Sequence, residues 1–165
     1  MTDDRKADWA RAARGLPNGS VVVVRARDAG RRRALADALF GLARLLIADD
    51  PGLAEEIGAS GLHLPELRMR EVGHWRARHP DWIITSSAHS LRALMAVAHL
   101  DAVFLSPVFA TTSHQGAKPL MPERAALIAA QAQVPVYALG GVTVRNGVLL
   151  APAFSGIAAI TALTF

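Results

Sequence analysis

At 165 residues, 52% of them hydrophobic, and with a mean hydropathy of +0.25, the chain is the length of one domain, taken as 1–165, and too apolar to be disordered. It has no cysteine, which excludes disulfide and thiolate chemistry and fits the cytoplasm, and no run of about 20 uncharged apolar residues, so no membrane is expected as a partner. The net charge of +4 sits on arginines spread over several helical segments with no basic–aromatic stripe, which argues against nucleic acid and suits a small phosphorylated ligand.

The first fifteen residues are charged and lack the apolar stretch of a signal peptide; Gly15 suits a helix C-terminus. The apolar run Val21–Arg25 follows and leads into Arg25-Ala26-Arg27, two cations at a strand end that could meet phosphate. Leu45–Ala48 is the second run. It ends in Asp49-Asp50-Pro51, where Asp50 reads as a helix cap ahead of a first-turn proline. A carboxylate at that strand end, Asp49, could also bind Mg²⁺.

Gly61–Leu64, Trp82–Ser86 and Ala102–Ser106 are the next three runs. His89, just beyond the fourth, is placed to act as acid or base near neutral pH, against the simpler reading of a packing histidine. Ser90 opens a helix over Leu91–Leu100. The loop after Ser106 gathers Thr111, Thr112, Ser113 and His114, groups that can donate to an oxyanion but are equally at home in an ordinary surface loop. Met121-Pro122 opens a helix over Glu123–Gln133. Val134–Leu139 then runs into Gly140-Gly141, with Thr143 as a cap, and Gly156–Thr161 is the last run.

Most of these seven runs are continuously apolar, as strands are when both faces of a parallel sheet are buried. Strand–helix alternation defines an α/β fold but leaves an open doubly wound sheet and a closed barrel both in play. Polar or glycine residues at nearly every strand end favour the barrel. So does the absence of GxGxxG and of GxxxxGK[ST], the marks of nucleotide-binding sheets. The glycine pair lets backbone amides approach an anion, and the small-residue strand after it would supply the other half of a phosphate site. The competing reading of Gly140-Gly141 is a plain strand-to-helix turn.

Gly61-Leu62-His63-Leu64, Ser87-Ala88-His89-Ser90-Leu91, Ser106-Pro107-Val108-Phe109-Ala110-Thr111 and Leu139-Gly140-Gly141-Val142-Thr143 together resemble the thiamine phosphate synthase and TenI family in order and spacing. The resemblance implies a TIM (β/α)8-type barrel with its site at the C-terminal strand ends. Synthases of this family join a pyrimidine pyrophosphate to a thiazole phosphate with Mg²⁺, and the characterised TenI type is a tautomerase that aromatises the thiazole. Carried over, Gly140, Gly141, Ala158, Ala159 and Thr161 hold the thiazole phosphate, with Thr111 and Ser113 as the loop hydroxyls. His89 matches TenI's acid/base.

The pyrophosphate and metal side departs from the pattern. Asp49 survives of an Asn-Asp pair, and Arg68 stands where the second metal aspartate is expected. His114 replaces a lysine, while Val23 and Arg27 replace a glutamine and a lysine. Leu64-Pro65 also looks more like TenI than like a synthase.

Met1-Thr2-Asp3-Asp4 is similar to the end of the family's first strand, so a compact barrel lacking most of that strand and the last helix is expected, with exposed edges that favour a dimer. Three functions stay open. The leading one is a TenI-like thiazole phosphate protein that needs no cofactor. A synthase needing Mg²⁺ and a non-catalytic phosphate-ligand binder are the alternatives.

Overall fold

The computed structural model describes residues 1–4, 8–95, 99–111, 118–150 and 152–160. Seven parallel strands run in sequential order: β1 (Val21–Val24), β2 (Arg44–Ala48), β3 (Gly61–Leu64), β4 (Ile83–Ala88), β5 (Ala102–Leu105), β6 (Val136–Ala138) and β7 (Gly156–Ile157). Between them lie helices α1 (Trp9–Arg14, ahead of β1), α2 (Ala29–Leu39), α3 (Pro51–Glu56), α4 (Val72–Arg78), α5 (Leu91–Met95), α6 (Pro122–Ala129) and α7 (Val144–Gly147). The expected TIM-type α/β barrel is therefore present as a curled seven-stranded sheet. Among the described residues no helix is long and apolar enough to cross a membrane.

Strand parity explains the continuous apolar runs. Val22, Val24, Leu45, Ile47, Leu62, Leu64, Ile84 and Leu105 point to the helices and join the main core. Val23, Leu46 and Ala48 form a second cluster with Met1, Val21, Ile83 and Phe104. Strands β1 to β5 thus bury most of both faces, one under helices and one within the curl of the sheet, whereas Ile157 of β7 is exposed. In register, Ala48 lies beside His63, and His63 beside Thr85.

The seam between β7 and β1 is spanned by the first residues. Thr2 donates its amide to the Val23 carbonyl at 2.9 Å, and its hydroxyl exchanges hydrogen bonds with the Arg25 backbone at 2.8 and 2.9 Å. On the other side the Met1 amino group donates to the Ala159 carbonyl at 3.1 Å. Met1 to Asp4 thus sit where the expected first-strand end belongs.

Helix boundaries follow local chemistry. Gly15 closes α1, Asp50 caps α3 through the Leu53 amide with Pro51 in the first turn, and Thr143 and Asn146 form a reciprocal capping box on α7. The expected helix Glu123–Gln133 is shorter, as α6 stops at Ala129.

Candidate functional site

A cavity of about 660 Å³ opens at the C-terminal ends of the strands. Its wall takes Arg25 and Arg27 from beyond β1, Asp49 from beyond β2, His89 from beyond β4, Thr111 from the loop after β5, Gly140 and Gly141 from beyond β6, and Ala158 and Ala159 from beyond β7. Ser113, His114 and Thr161 lie outside the described residues.

Gly140 and Gly141 have φ of 91° and 65°, in the left-handed region that favours glycine. A Cβ on Gly140 would stand 2.8 Å from Pro107 Cα, and one on Gly141 2.3 Å from the Ala110 carbonyl oxygen. The loop after β5 lies directly against this turn, with the Val108 and Phe109 amides donating to the Leu139 and Gly140 carbonyls at 3.0 Å each. Packing alone therefore demands both glycines. The amides carry further information. Those of Gly140, Gly141 and Val142 have no acceptor among the described residues, although Val142 is only 6% exposed. Buried backbone donors are nearly always paired, which singles out Val142, and its amide together with those of the two half-buried glycines before it is suited to an anion or ordered water. The Ala158 amide is not free for that task, because it donates to the Ala138 carbonyl at 2.8 Å.

His89 is held from two sides. Its backbone amide donates to the Glu66 carboxylate at 2.7 Å, and Nδ1 lies 2.8 Å from the Ser106 carbonyl oxygen. A carbonyl only accepts, so in the neutral ring Nδ1 carries the proton and Nε2 is the basic nitrogen.

On the other side of the mouth Arg32 and Asp49 line the cavity, and each belongs to an arginine–carboxylate pair whose other member lies outside the lining. Arg68 Nη1 donates to Asp49 Oδ1 at 2.5 Å, and Nε and Nη2 donate to the two Glu71 oxygens at 2.8 and 2.6 Å. Hydrogen bonds to Glu71 and Asp49 raise the Arg68 pKa above its ordinary value. Arg32 holds Asp50 Oδ2 at 2.8 and 3.1 Å. Partial burial pushes the Asp50 carboxyl up, but the Arg32 and Leu53 hydrogen bonds outweigh it and hold the group below the usual range.

A divalent cation does not fit this donor set. Mg²⁺ needs several oxygen ligands in octahedral array, whereas Asp49 already faces a guanidinium. Among the described residues no group of three or more His, Asp or Glu is disposed to hold a metal ion. Of the two cations after β1, Arg27 is largely exposed and pairs loosely with Asp4 at 3.9 Å. Arg25 is half-buried and its guanidinium has no partner among the described residues.

Three polar residues not singled out individually in the sequence complete the cavity. His63 Nδ1 lies 2.9 Å from Thr85 Oγ1 and Nε2 lies 3.0 Å from Ser87 Oγ. His63 and Ser87 line the cavity, and Thr85 lies behind them. Their signal in the sequence is partial: His63 is the one polar side chain of β3, while Thr85 and Ser87 share one face of β4 with Ser86 between them on the other.

An α/β barrel with its cavity at the C-terminal strand ends belongs to the TIM-type class, in which those loops carry the site. More particularly, the chain belongs to the thiamine monophosphate synthase family, whose model matches residues 3–163. It is 33% identical over 176 residues to the thiamine-phosphate synthase of Chlorobium luteolum, a match covering 99% of this chain and 83% of that protein. To the thiamine-phosphate synthase of Staphylococcus saprophyticus it is 31% identical over 156 residues, covering 84% and 73%. A relative from Aquifex aeolicus is 36% identical over 103 residues, and this chain spans only 55% of its length. Among solved structures, the thiamine phosphate pyrophosphorylase of Pyrococcus furiosus shares the fold with a TM-score of 0.73 at 22% identity, covering 98% of this chain and 84% of that one.

Proposed function

We propose that the protein binds a thiazole phosphate in the mouth of the barrel and acts on it as a tautomerase. The observation that carries this reading is the pairing, in one cavity, of the Gly140, Gly141 and Val142 amides, which have no acceptor among the described residues, with a histidine whose basic nitrogen is fixed. The amides suit the phosphate. His89 Nε2 would take a proton from one ring position and return it to another, so the ring isomerises with no net change of atoms or electrons. Thr111 stands in the same wall. In this reading no cofactor is needed, and the setting is the cytoplasm. A dimer is part of the proposal, supported by the exposed Val144, Val148, Leu149 and Ile157 around β7 and the segment before it.

Family membership favours a second reading, a synthase that joins the thiazole phosphate to a pyrimidine pyrophosphate with Mg²⁺. The Arg68–Asp49 pair weighs against it, since charge on a leaving pyrophosphate would lack its metal. The two readings separate in one experiment. Purified protein is given the non-aromatic thiazole phosphate tautomer, and aromatisation is followed by absorbance, for the wild type and His89→Ala. In parallel, thiamine phosphate formation is measured with Mg²⁺. Expected are turnover lost at least about a hundredfold in His89→Ala and no Mg²⁺-dependent coupling. Saturable binding without turnover would leave a non-catalytic binder, and robust coupling would establish the synthase.

A further inference from the structure

His63 sits in the interior of the sheet, 4% exposed, with its ring 5.1 Å from that of Phe104. Burial, with smaller contributions from Arg25 and the Met1 amino group, lowers its pKa to about 3, so the ring is neutral near neutral pH. A neutral imidazole has one N–H donor and one bare acceptor nitrogen. Its two hydroxyl neighbours can therefore be served in only two ways.

In the first, Nδ1–H donates to Thr85 Oγ1 and the Ser87 hydroxyl donates to Nε2. The Thr85 hydroxyl proton is then left without an acceptor: the residue is 3% exposed, and His63 is its only side-chain partner among the described residues. A buried polar hydrogen without a partner is costly. In the second, the Thr85 hydroxyl donates to Nδ1 and Nε2–H donates to Ser87 Oγ. Every buried group is then paired. The one hydrogen left over is that of the Ser87 hydroxyl, in the cavity wall where a ligand can accept it.

We propose that His63 carries its proton on Nε2 and thereby makes the Ser87 hydroxyl an obligate hydrogen-bond donor to the ligand. Ser87 contacts the ligand, and His63 is a positioning residue acting through it. The group recognised is a hydrogen-bond acceptor, an oxygen or an unprotonated ring nitrogen, and a donor group at that point is disfavoured. The claim rests on the proposed function only in the choice of thiazole phosphate as probe.

Two measurements test it. Two-bond ¹⁵N–¹H correlation spectra of the ligand-free protein distinguish imidazole tautomers, and His63→Gln identifies the signal by its loss. The Nε2–H form is expected; the Nδ1–H form overturns the proposal. Affinity for thiazole phosphate is then measured in a double-mutant cycle of Ser87→Ala and His63→Leu, with folding checked by thermal melts. Each single variant is expected to bind roughly 5- to 10-fold more weakly, and His63→Leu to cost nothing further in the Ser87→Ala background. Glutamine, whose amide can serve both hydroxyls, is expected to recover most of the affinity that leucine loses. Additive losses, or no loss in Ser87→Ala, overturn the proposal. If the wild type does not bind the probe, the proposed function falls, and the tautomer spectrum alone decides this inference.

Discussion

Replacing His63 by glutamine should flatten the acid side of the stability profile. In the folded chain the His63 pKa is lowered from 6.5 to about 3, chiefly by burial. The unfolded chain carries an ordinary histidine that takes up its proton near pH 6.5. Between those two values the unfolded state binds more protons at this site than the folded state. The stability tied to His63 is therefore fully present above about pH 6.5, falls as pH drops through the window, and levels off below about 3. Each pH unit within it is worth about 1.4 kcal/mol, so going from pH 7 to 4.5 removes roughly 2 to 3 kcal/mol through this one group. Urea unfolding of wild type and His63→Gln at both pH values measures the effect. Other titrating groups, such as the Asp50 carboxyl held low by Arg32, are common to both proteins and cancel in the double difference. The wild type should lose the larger amount by roughly 2 to 3 kcal/mol. Equal losses would refute the reasoning, because they would mean that the folded interior accepts a protonated ring.

Gly141→Ala should destabilise the fold by at least about 2 kcal/mol, combining left-handed backbone strain with the contact a Cβ would make on the Ala110 carbonyl. It should also abolish thiazole phosphate binding; denaturant melts and titration calorimetry check the two effects, and a variant as stable as wild type would show that the loop after β5 is not packed as described. Arg68→Asp should create saturable Mn²⁺ binding, read by electron paramagnetic resonance, that Asp49→Asn abolishes again. Wild-type protein that already binds Mn²⁺ through Asp49 would contradict the assignment of Arg68 as that carboxylate's partner.

Much of the fold was legible because it is written in local chemistry. Asp50-Pro51, Thr143 and Gly15 announce helix ends by their own capping groups. Most of the seven apolar runs announce strands buried on both faces. The last of them illustrates the limit: of the expected strand Gly156–Thr161, the described residues form strand only over Gly156–Ile157. The Ala158 amide still reaches Ala138 past the end of β7, and small residues do not encode where a strand stops.

Of the candidate site, the glycine turn and His89 were legible as positions that line the cavity, and the long-range side-chain pairings were not. Gly140-Gly141 and His89 mark themselves. The pairs His63–Ser87, Glu66–His89 and Arg68–Asp49 are separated by 24, 23 and 19 residues, and they exist only once strand register is set. With strands apolar on both faces, hydrophobic pattern does not choose among registers. The register that places His63 beside Thr85 comes from packing of the whole sheet.

The clasp between the loop after β5 and the glycine turn after β6 bears on how this barrel can be redesigned. On that side the ligand would be met by main-chain groups, and their positions are locked by two loops that leave no room for a single added carbon. Substitution there has little to work with short of rebuilding both loops at once. Across the mouth, the lining residues Arg32 and Asp49 are long or charged side chains tied into ion pairs with Asp50 and Arg68 behind them, and substitution there alters charge without touching the backbone. Libraries aimed at new ligands are therefore best confined to the lining residues Arg25, Arg27 and Asp49, together with Arg68 that pairs with Asp49, with the glycine side left unchanged as the proposed anion site.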